Sequence, residues 1–137
     1  MATLRLEIVT PEAKAYSEDV DMVVVPGSEG ELGILPQHIP LLTSIKPGEL
    51  RVTKDGKETS MAVGEGFVEV TQDRVIVLTD MALEDANIDE AAAQAAFDKA
   101  QEALRNQRLS EAEHATVEAT LEKSLAQLNL KRKKQHH

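Results

Sequence analysis

The sequence predicts an α+β fold, with short antiparallel strands packed as a sandwich or barrel followed by an antiparallel pair of helices. Three observations carry this. Between Leu4 and Asp80 the apolar residues alternate or form short β-branched runs, which is the period of strands. Turn chemistry at Pro26 Gly27, Pro47 Gly48, Lys54 Asp55 Gly56 Lys57 and Gln72 Asp73 cuts that region into short segments, as in all-β sandwiches and barrels. Past Leu83 glycine and proline vanish and alanine dominates, so local preference switches to helix.

Taken in order, Leu4, Leu6 and Ile8 mark a first strand and Asp19 to Val25 a second. Leu50 to Lys54 and Glu58 to Val63 flank Asp55 Gly56, a hairpin signal because glycine accepts the positive φ of a tight hairpin turn. Gly66 to Val70 and Arg74 to Thr79 complete the strands. Asn87, with Glu90 three residues on, reads as a capping box opening a helix over Ile88 to Arg105, whose stripe is Ala93, Ala96, Phe97, Ala100 and Leu104. Ser110 with Glu113 opens a second helix over Glu111 to Leu130, with Val117, Leu121, Leu125 and Leu128 as its stripe. The two join near Asn106 to Leu109. The chain thus divides into a β-domain (1–84), a helical hairpin (85–130) and a basic tail (131–137).

Alanine favours helix but buries little apolar area, so each contact along the hairpin contributes less than a leucine would. A loosely docked hairpin is predicted. Such a pair suits a moving part, and a small static hairpin fits the composition equally.

Composition narrows the function. With 24 acidic and 15 basic residues the formal charge is -9, which repels a polyanion and argues against nucleic acid as partner. Lys131, Arg132, Lys133 and Lys134 are the exception, read as a frayed terminus or as a contact for an acidic protein surface or anionic lipid. Aromatics are 2% of the chain, too few for base stacking. Without cysteine there is no disulfide, thiolate nucleophile or cysteine zinc site. No signal peptide and no membrane-length apolar run is present, so a cytoplasmic protein, free or peripherally held, is expected.

The most specific segment is Gly30 Glu31 Leu32 Gly33 Ile34 Leu35 Pro36 Gln37 His38 Ile39 Pro40 Leu41 Leu42, followed by Ile45 Lys46 Pro47 Gly48 Glu49 Leu50 Arg51 Val52. It resembles the signature of the epsilon subunits of bacterial-type F-type ATP synthases, called delta in mitochondria. Ile8 to Pro11, Gly64 to Val70, Val75 to Asp80 and Asn87 Ile88 Asp89 extend the likeness over essentially the whole chain. The resemblance implies a ten-stranded N-terminal antiparallel β-sandwich followed by a C-terminal two-helix antiparallel hairpin, in agreement with the change of period near Leu83.

It also implies a non-catalytic rotor part of the central stalk, peripheral on the cytoplasmic side of the inner (plasma) membrane and needing no cofactor. Its β-domain grips the gamma subunit and one end rests on the c ring, in proton-driven ATP synthesis. The ring-facing loop matches Gly27 to Gly33, so Glu29, Glu31 and, in the following turn, His38 become candidate ring-side contacts. In many members the hairpin extends along gamma and restrains ATP hydrolysis by setting basic side chains against the catalytic alpha and beta subunits. Here Lys123, Lys131, Arg132, Lys133 and Lys134 are the candidates, whereas Glu111, Glu113, Glu118 and Glu122 make the rest of helix two acidic. In some bacterial members the hairpin binds ATP as a regulatory ligand through Ile/Leu-Asp-x-x-Arg-Ala. Ile88 and Asp89 match the start, but Ala92 stands at the arginine position, so the phosphate-facing charge is missing. A free-standing nucleotide sensor built on this fold is the alternative reading.

Enzymatic chemistry finds no support in the residues. Gly27, Gly30 and Gly33 lack a following helix and a Gly-Lys-Ser/Thr ending, so they read as structural turns and not as a phosphate loop. His38 and His114 lie far apart and His136 and His137 end the chain, so no metal-ligand spacing occurs. None of the serines sits in a nucleophile elbow.

Overall fold

The computed structural model describes residues 2–135, and of Lys134 and Gln135 the backbone alone. Ten strands precede two helices: β1 (Leu4–Val9), β2 (Lys14–Val20), β3 (Met22–Gly27), β4 (Gly30–Ile34), β5 (Leu41–Ile45), β6 (Gly48–Lys54), β7 (Lys57–Val63), β8 (Gly66–Val70), β9 (Arg74–Thr79), β10 (Ala82–Glu84), α1 (Glu90–Asn106) and α2 (Glu111–Gln135). The strands form one path, β10-β7-β6-β3-β5-β8-β9-β1-β2, with β4 attached to β3. All pairings are antiparallel except β1 with β9, where Leu6 opposes Val75 and Ile8 opposes Val77.

The path turns back on itself at the single β3–β5 pair, Gly27 with Ile45, so that two layers enclose one core. Alternation supplies the inner face: Leu4, Leu6 and Ile8 from β1, Val23 and Val25 from β3, Leu50 and Val52 from β6, Val75 and Val77 from β9 are all buried in one cluster. Burying such a side chain stabilises by about 1.5–3 kcal/mol each, so this cluster dominates the stability of the β-domain. The edge strand β2 meets the end of β6 across the sandwich, where Glu18 pairs with Lys54.

The strand expected over Asp19 to Val25 is broken at Asp21. Its amide donates to Thr53 O (2.8 Å) and its carboxylate accepts the Asp55 amide (2.9 Å), so the residue ties β2 and β3 to the β6–β7 turn. That turn is the expected Asp55 Gly56 hairpin, both residues at positive φ (52° and 80°).

On β7 alternation fails, because Ser60, Met61, Ala62 and Val63 are all buried. Met61 and Val63 face the sandwich core, while Ala62 packs against Ile88, Ala126 and Leu130 beneath the helices. α2 is therefore buried on two sides near its end, with Ala126 and Leu130 toward the sheet and Leu128 about 200° round the helix from Ala126. The expected stripe of α2 holds only in part: Leu128 is buried, but Leu125 is 41% exposed. On α1, Ala93, Ala100 and Ala103 are the buried residues, so the helices approach through alanine as expected.

Helix starts follow local chemistry. Ser110 and Glu113 form the expected box, Ser110 N donating to Glu113 Oε1 and Glu113 N to Ser110 Oγ, both 3.1 Å. The cap of α1 does not lie at the expected Asn87. Asp85–Asn87 make a turn of 3₁₀ helix, and the Asp89 carboxylate caps α1 by accepting the Ala92 amide at 3.0 Å.

α2 also continues past Leu130 to Gln135 instead of fraying at the basic run. Acidic partners distant in sequence hold it. Lys131 Nζ lies 4.0 Å from Asp85 Oδ1 and donates to Asp85 O (3.1 Å), Arg132 reaches Glu90 (3.4 Å), and Lys133 reaches both oxygens of Glu49 (3.1 Å).

Candidate functional site: two outer surfaces of the sandwich

The segment Gly27 to Gly33 is a β-hairpin, not an irregular loop, with Ser28 and Glu29 as its two-residue turn. Gly27 is required there, since a Cβ would stand 2.6 Å from Gly30 O. The turn is fastened to β5 by Ser28 N to Ser44 O (3.1 Å) and by the paired hydroxyls of Ser28 and Ser44 (2.6 Å). Glu29 projects at the tip and is exposed. Glu31 lies on β4, where Arg51 of β6 holds it with two nitrogens at 2.9 and 3.4 Å.

His38 does not join them. It follows β4, so the length of that strand, roughly 16 Å for five residues, separates it from the Glu29 end. Its turn sits beside the β8–β9 turn, with Gln37 N donating to Gln72 O (2.9 Å), and its Nδ1 is 2.7 Å from Ile39 O.

The signature segment also places apolar side chains in solvent, which the sequence reading missed. Leu35 (56%), Ile39 (79%) and Leu42 (67%) are exposed, as are Phe67 (57%) and Leu78 (51%). Register explains three of them. Leu42 opposes Glu69, Ser44 opposes Phe67 and Phe67 opposes Leu78, so these side chains share the outer face of β5, β8 and β9, away from the core lined by Val68, Val70 and Val77. An apolar side chain at the outward position of a strand is the only signal that could have found this patch, and it requires knowing which face is inward.

Cations on α2 are engaged within the chain. Lys123 reaches Asp80 at 3.4 Å, and Lys131, Arg132 and Lys133 have the partners given above, while the side chain of Lys134 lies outside the described residues, as do His136 and His137. At the positions of the ATP-binding motif, the matching Ile88 is buried under α2 and Asp89 caps α1, while Ala92, which replaces the arginine, is exposed.

Comparison with known proteins gives a consistent result. Residues 3–85 match the family model for the ATP synthase delta/epsilon chain beta-sandwich domain, and residues 86–132 that for the delta/epsilon chain long alpha-helix domain. The chain belongs to the ATP synthase epsilon family. The epsilon chain of Desulforamulus reducens is 46% identical over 123 residues, covering 90% of this chain and 92% of the relative. That of Dehalococcoides mccartyi is 41% identical over 137 residues, covering 100% and 98%. A solved chain of the Euglena gracilis mitochondrial ATP synthase (OSCP/F1/c-ring) has the same fold at a TM-score of 0.78, with 23% identity over 100% of this chain and 83% of that one. As an epsilon subunit of bacterial type, the chain is one component of a larger complex. Among its described residues no helix is long and apolar enough to cross a membrane.

Proposed function

We propose that the chain is a non-catalytic central-stalk subunit that couples the c ring to gamma in proton-driven ATP synthesis, and that its helical hairpin restrains ATP hydrolysis. The observation that supports this best is the apolar patch Leu42, Phe67 and Leu78, with Leu35 and Ile39 nearby, left in solvent on the outer face of β5, β8 and β9. The helices cover β6 and β7 instead, and among the described residues none shields the patch from solvent. Exposed apolar area on a strand face of a rigid sandwich suits a protein partner, and gamma is the partner expected there. Glu29 at the tip of the β3–β4 hairpin is then a ring contact, with Glu31 beside it, while His38 serves the shaft side or only its own turn.

Residues 1–84 act as the anchor and 85–130 as the regulatory hairpin, held peripherally on the cytoplasmic side of the membrane by the complex. For inhibition the hairpin must leave β6 and β7, exposing Lys123 and residues 131–134 to acidic segments of the alpha and beta subunits. The alanine-rich contact between α1 and α2 favours such an exchange, because a few kcal/mol of differential contact reverses a two-state population.

The test is ATP hydrolysis by a reconstituted alpha, beta and gamma core, alone, with the full chain, and with a truncation ending at Asp85. The sandwich core draws its residues from the β-strands alone, so the truncation keeps it whole. Inhibition by the full chain and not by the truncation is expected. Failure of both to bind the core overturns the assignment, and binding without inhibition leaves a coupling subunit only.

A further inference from the structure

Four side chains from three parts of the fold form one unbroken line of charge. Glu31 on β4 accepts two bonds from Arg51 on β6, at 2.9 and 3.4 Å. The nearer Arg51 nitrogen, Nη1, also lies 3.8 Å from Glu49 Oε1, two residues back on the same strand and face. Glu49 in turn holds Lys133, near the end of α2, through both carboxylate oxygens at 3.1 Å. Arg51 and Glu49 are the least exposed members, at 28% and 22% of their side-chain area. They are also the two that are shared.

Glu31 and Glu49 compete for one guanidinium, and Arg51 and Lys133 compete for one carboxylate. We propose that this line is a switch, in which engagement of Glu31 by a basic side chain of a docking partner frees Arg51 to close on Glu49 and so loosens the hold of Glu49 on Lys133. Closing needs a shift of about 1 Å, from 3.8 Å to an ordinary charged hydrogen bond. Release falls on a helix end whose remaining cations, Lys131 and Arg132, are 23% and 49% exposed. Lys131 keeps its bond to Asp85 O at 3.1 Å and Arg132 its bonds to Glu90 and Gln94, so the competition loosens the Lys133 tie at the very end of α2 and not the whole helix. Occupancy at the β3–β4 hairpin is thereby reported at the C-terminal end of α2, by competition for charge and without movement of the sandwich.

The use of this switch in a rotor rests on the reading of Glu31 as a ring contact, whereas the competition itself is a property of the isolated chain and can be tested there. Hydrogen exchange of the amides from Leu125 to Lys133 is measured at low salt in the full chain, with β1 and β9 amides as the internal control. Glu31→Gln is expected to raise exchange at the α2 end about threefold, since Arg51 then turns to Glu49. Arg51→Met is expected to lower it, since Glu49 is then left to Lys133 alone, and the double variant is expected to behave as Arg51→Met. All differences should collapse at roughly 0.5 M salt, where screening shortens to a few ångströms. The opposite signs separate competition from general destabilisation, which would raise exchange in both single variants. Equal exchange in wild type and Glu31→Gln, or faster exchange in Arg51→Met, overturns the switch without touching the assignment to the stalk.

Discussion

A Cβ placed on Gly64 would stand 1.9 Å from Asp80 Oδ1, so this glycine is the gap across which Asp80 reaches Lys123 on α2 at 3.4 Å. The same substitution two residues on meets a different obstacle, because a Cβ on Gly66 would lie 1.7 Å from Leu78 O, a carbonyl of β9, the strand that pairs with β8. A carboxylate can swing aside and a ladder carbonyl cannot. Gly64→Ala is therefore expected to cost about 1 kcal/mol, the range of one surface ion pair and its neighbouring hydrogen bond. Gly66→Ala should cost about 3 kcal/mol, as overpacking against fixed backbone does. Denaturant titration checks both. In an Asp80→Ala background Gly64→Ala should cost almost nothing more, and additivity of the two would disprove the link between them.

Leu130 is 1% exposed and packs with Ala62, Ile88 and Ala126, so it is the largest side chain binding α2 to the sheet. Leu130→Ala should weaken hairpin docking by about 2–4 kcal/mol. Because none of these four residues belongs to the sandwich core, the damage should stay local. Fast hydrogen exchange in both helices with unchanged exchange in β1 and β9 is the expected pattern, and parallel loss in the strands would show that the two parts unfold as one.

The start of α2 should respond to acid. Glu113 is held below the ordinary carboxylate range, first by the hydrogen bond it accepts from the Ser110 amide and then by the Ser110 side chain. A depressed folded pKa contributes stability that is present above the unfolded value and lost as pH falls through the folded one. Fraying of the first turn of α2 is expected only below the normal Glu range, followed by the amide signals of Ser110 to His114. In Ser110→Ala the first turn should be frayed already at neutral pH and the acid step should shrink.

What could be read from the sequence was what depends on near neighbours. The β6–β7 hairpin declared itself because Asp55 and Gly56 tolerate positive φ, and the α2 cap because Ser110 and Glu113 satisfy each other. Distant partners misled the reading. The basic run 131–133 looks like a frayed end until Asp85, Glu90 and Glu49 are brought beneath it, and no local pattern reports that. Asp21 interrupts a convincing apolar run because its carboxylate serves the Asp55 amide, 34 residues away. At the start of α1 the expected cap at Asn87 gives way to Asp89, because the 3₁₀ turn takes up Asp85–Asn87. Within the candidate site, the signature segment sets Glu29 and Glu31 close together in sequence, whereas their separation from His38 and the solvent-facing apolar patch depend on strand register.

That patch yields the sharpest prediction for the proposed contact with gamma. Leu42 and Phe67 are 67% and 57% exposed, and their strand neighbours keep the core sealed behind them, so replacing either by Glu should change stability by less than about 0.5 kcal/mol. An apolar anchor at the centre of an interface is worth about 2 kcal/mol or more, and a buried unpaired carboxylate adds to the loss. Leu42→Glu and Phe67→Glu are thus each expected to weaken binding to gamma at least 30-fold with unaltered thermal melting, read by titration against an alpha, beta and gamma core. Glu58→Lys, in the exposed first half of β7, serves as the charge-changing control and should leave binding intact. Undiminished binding by both apolar variants would move the gamma contact to another face, and the β3–β4 hairpin around Glu29 would be the next surface to test.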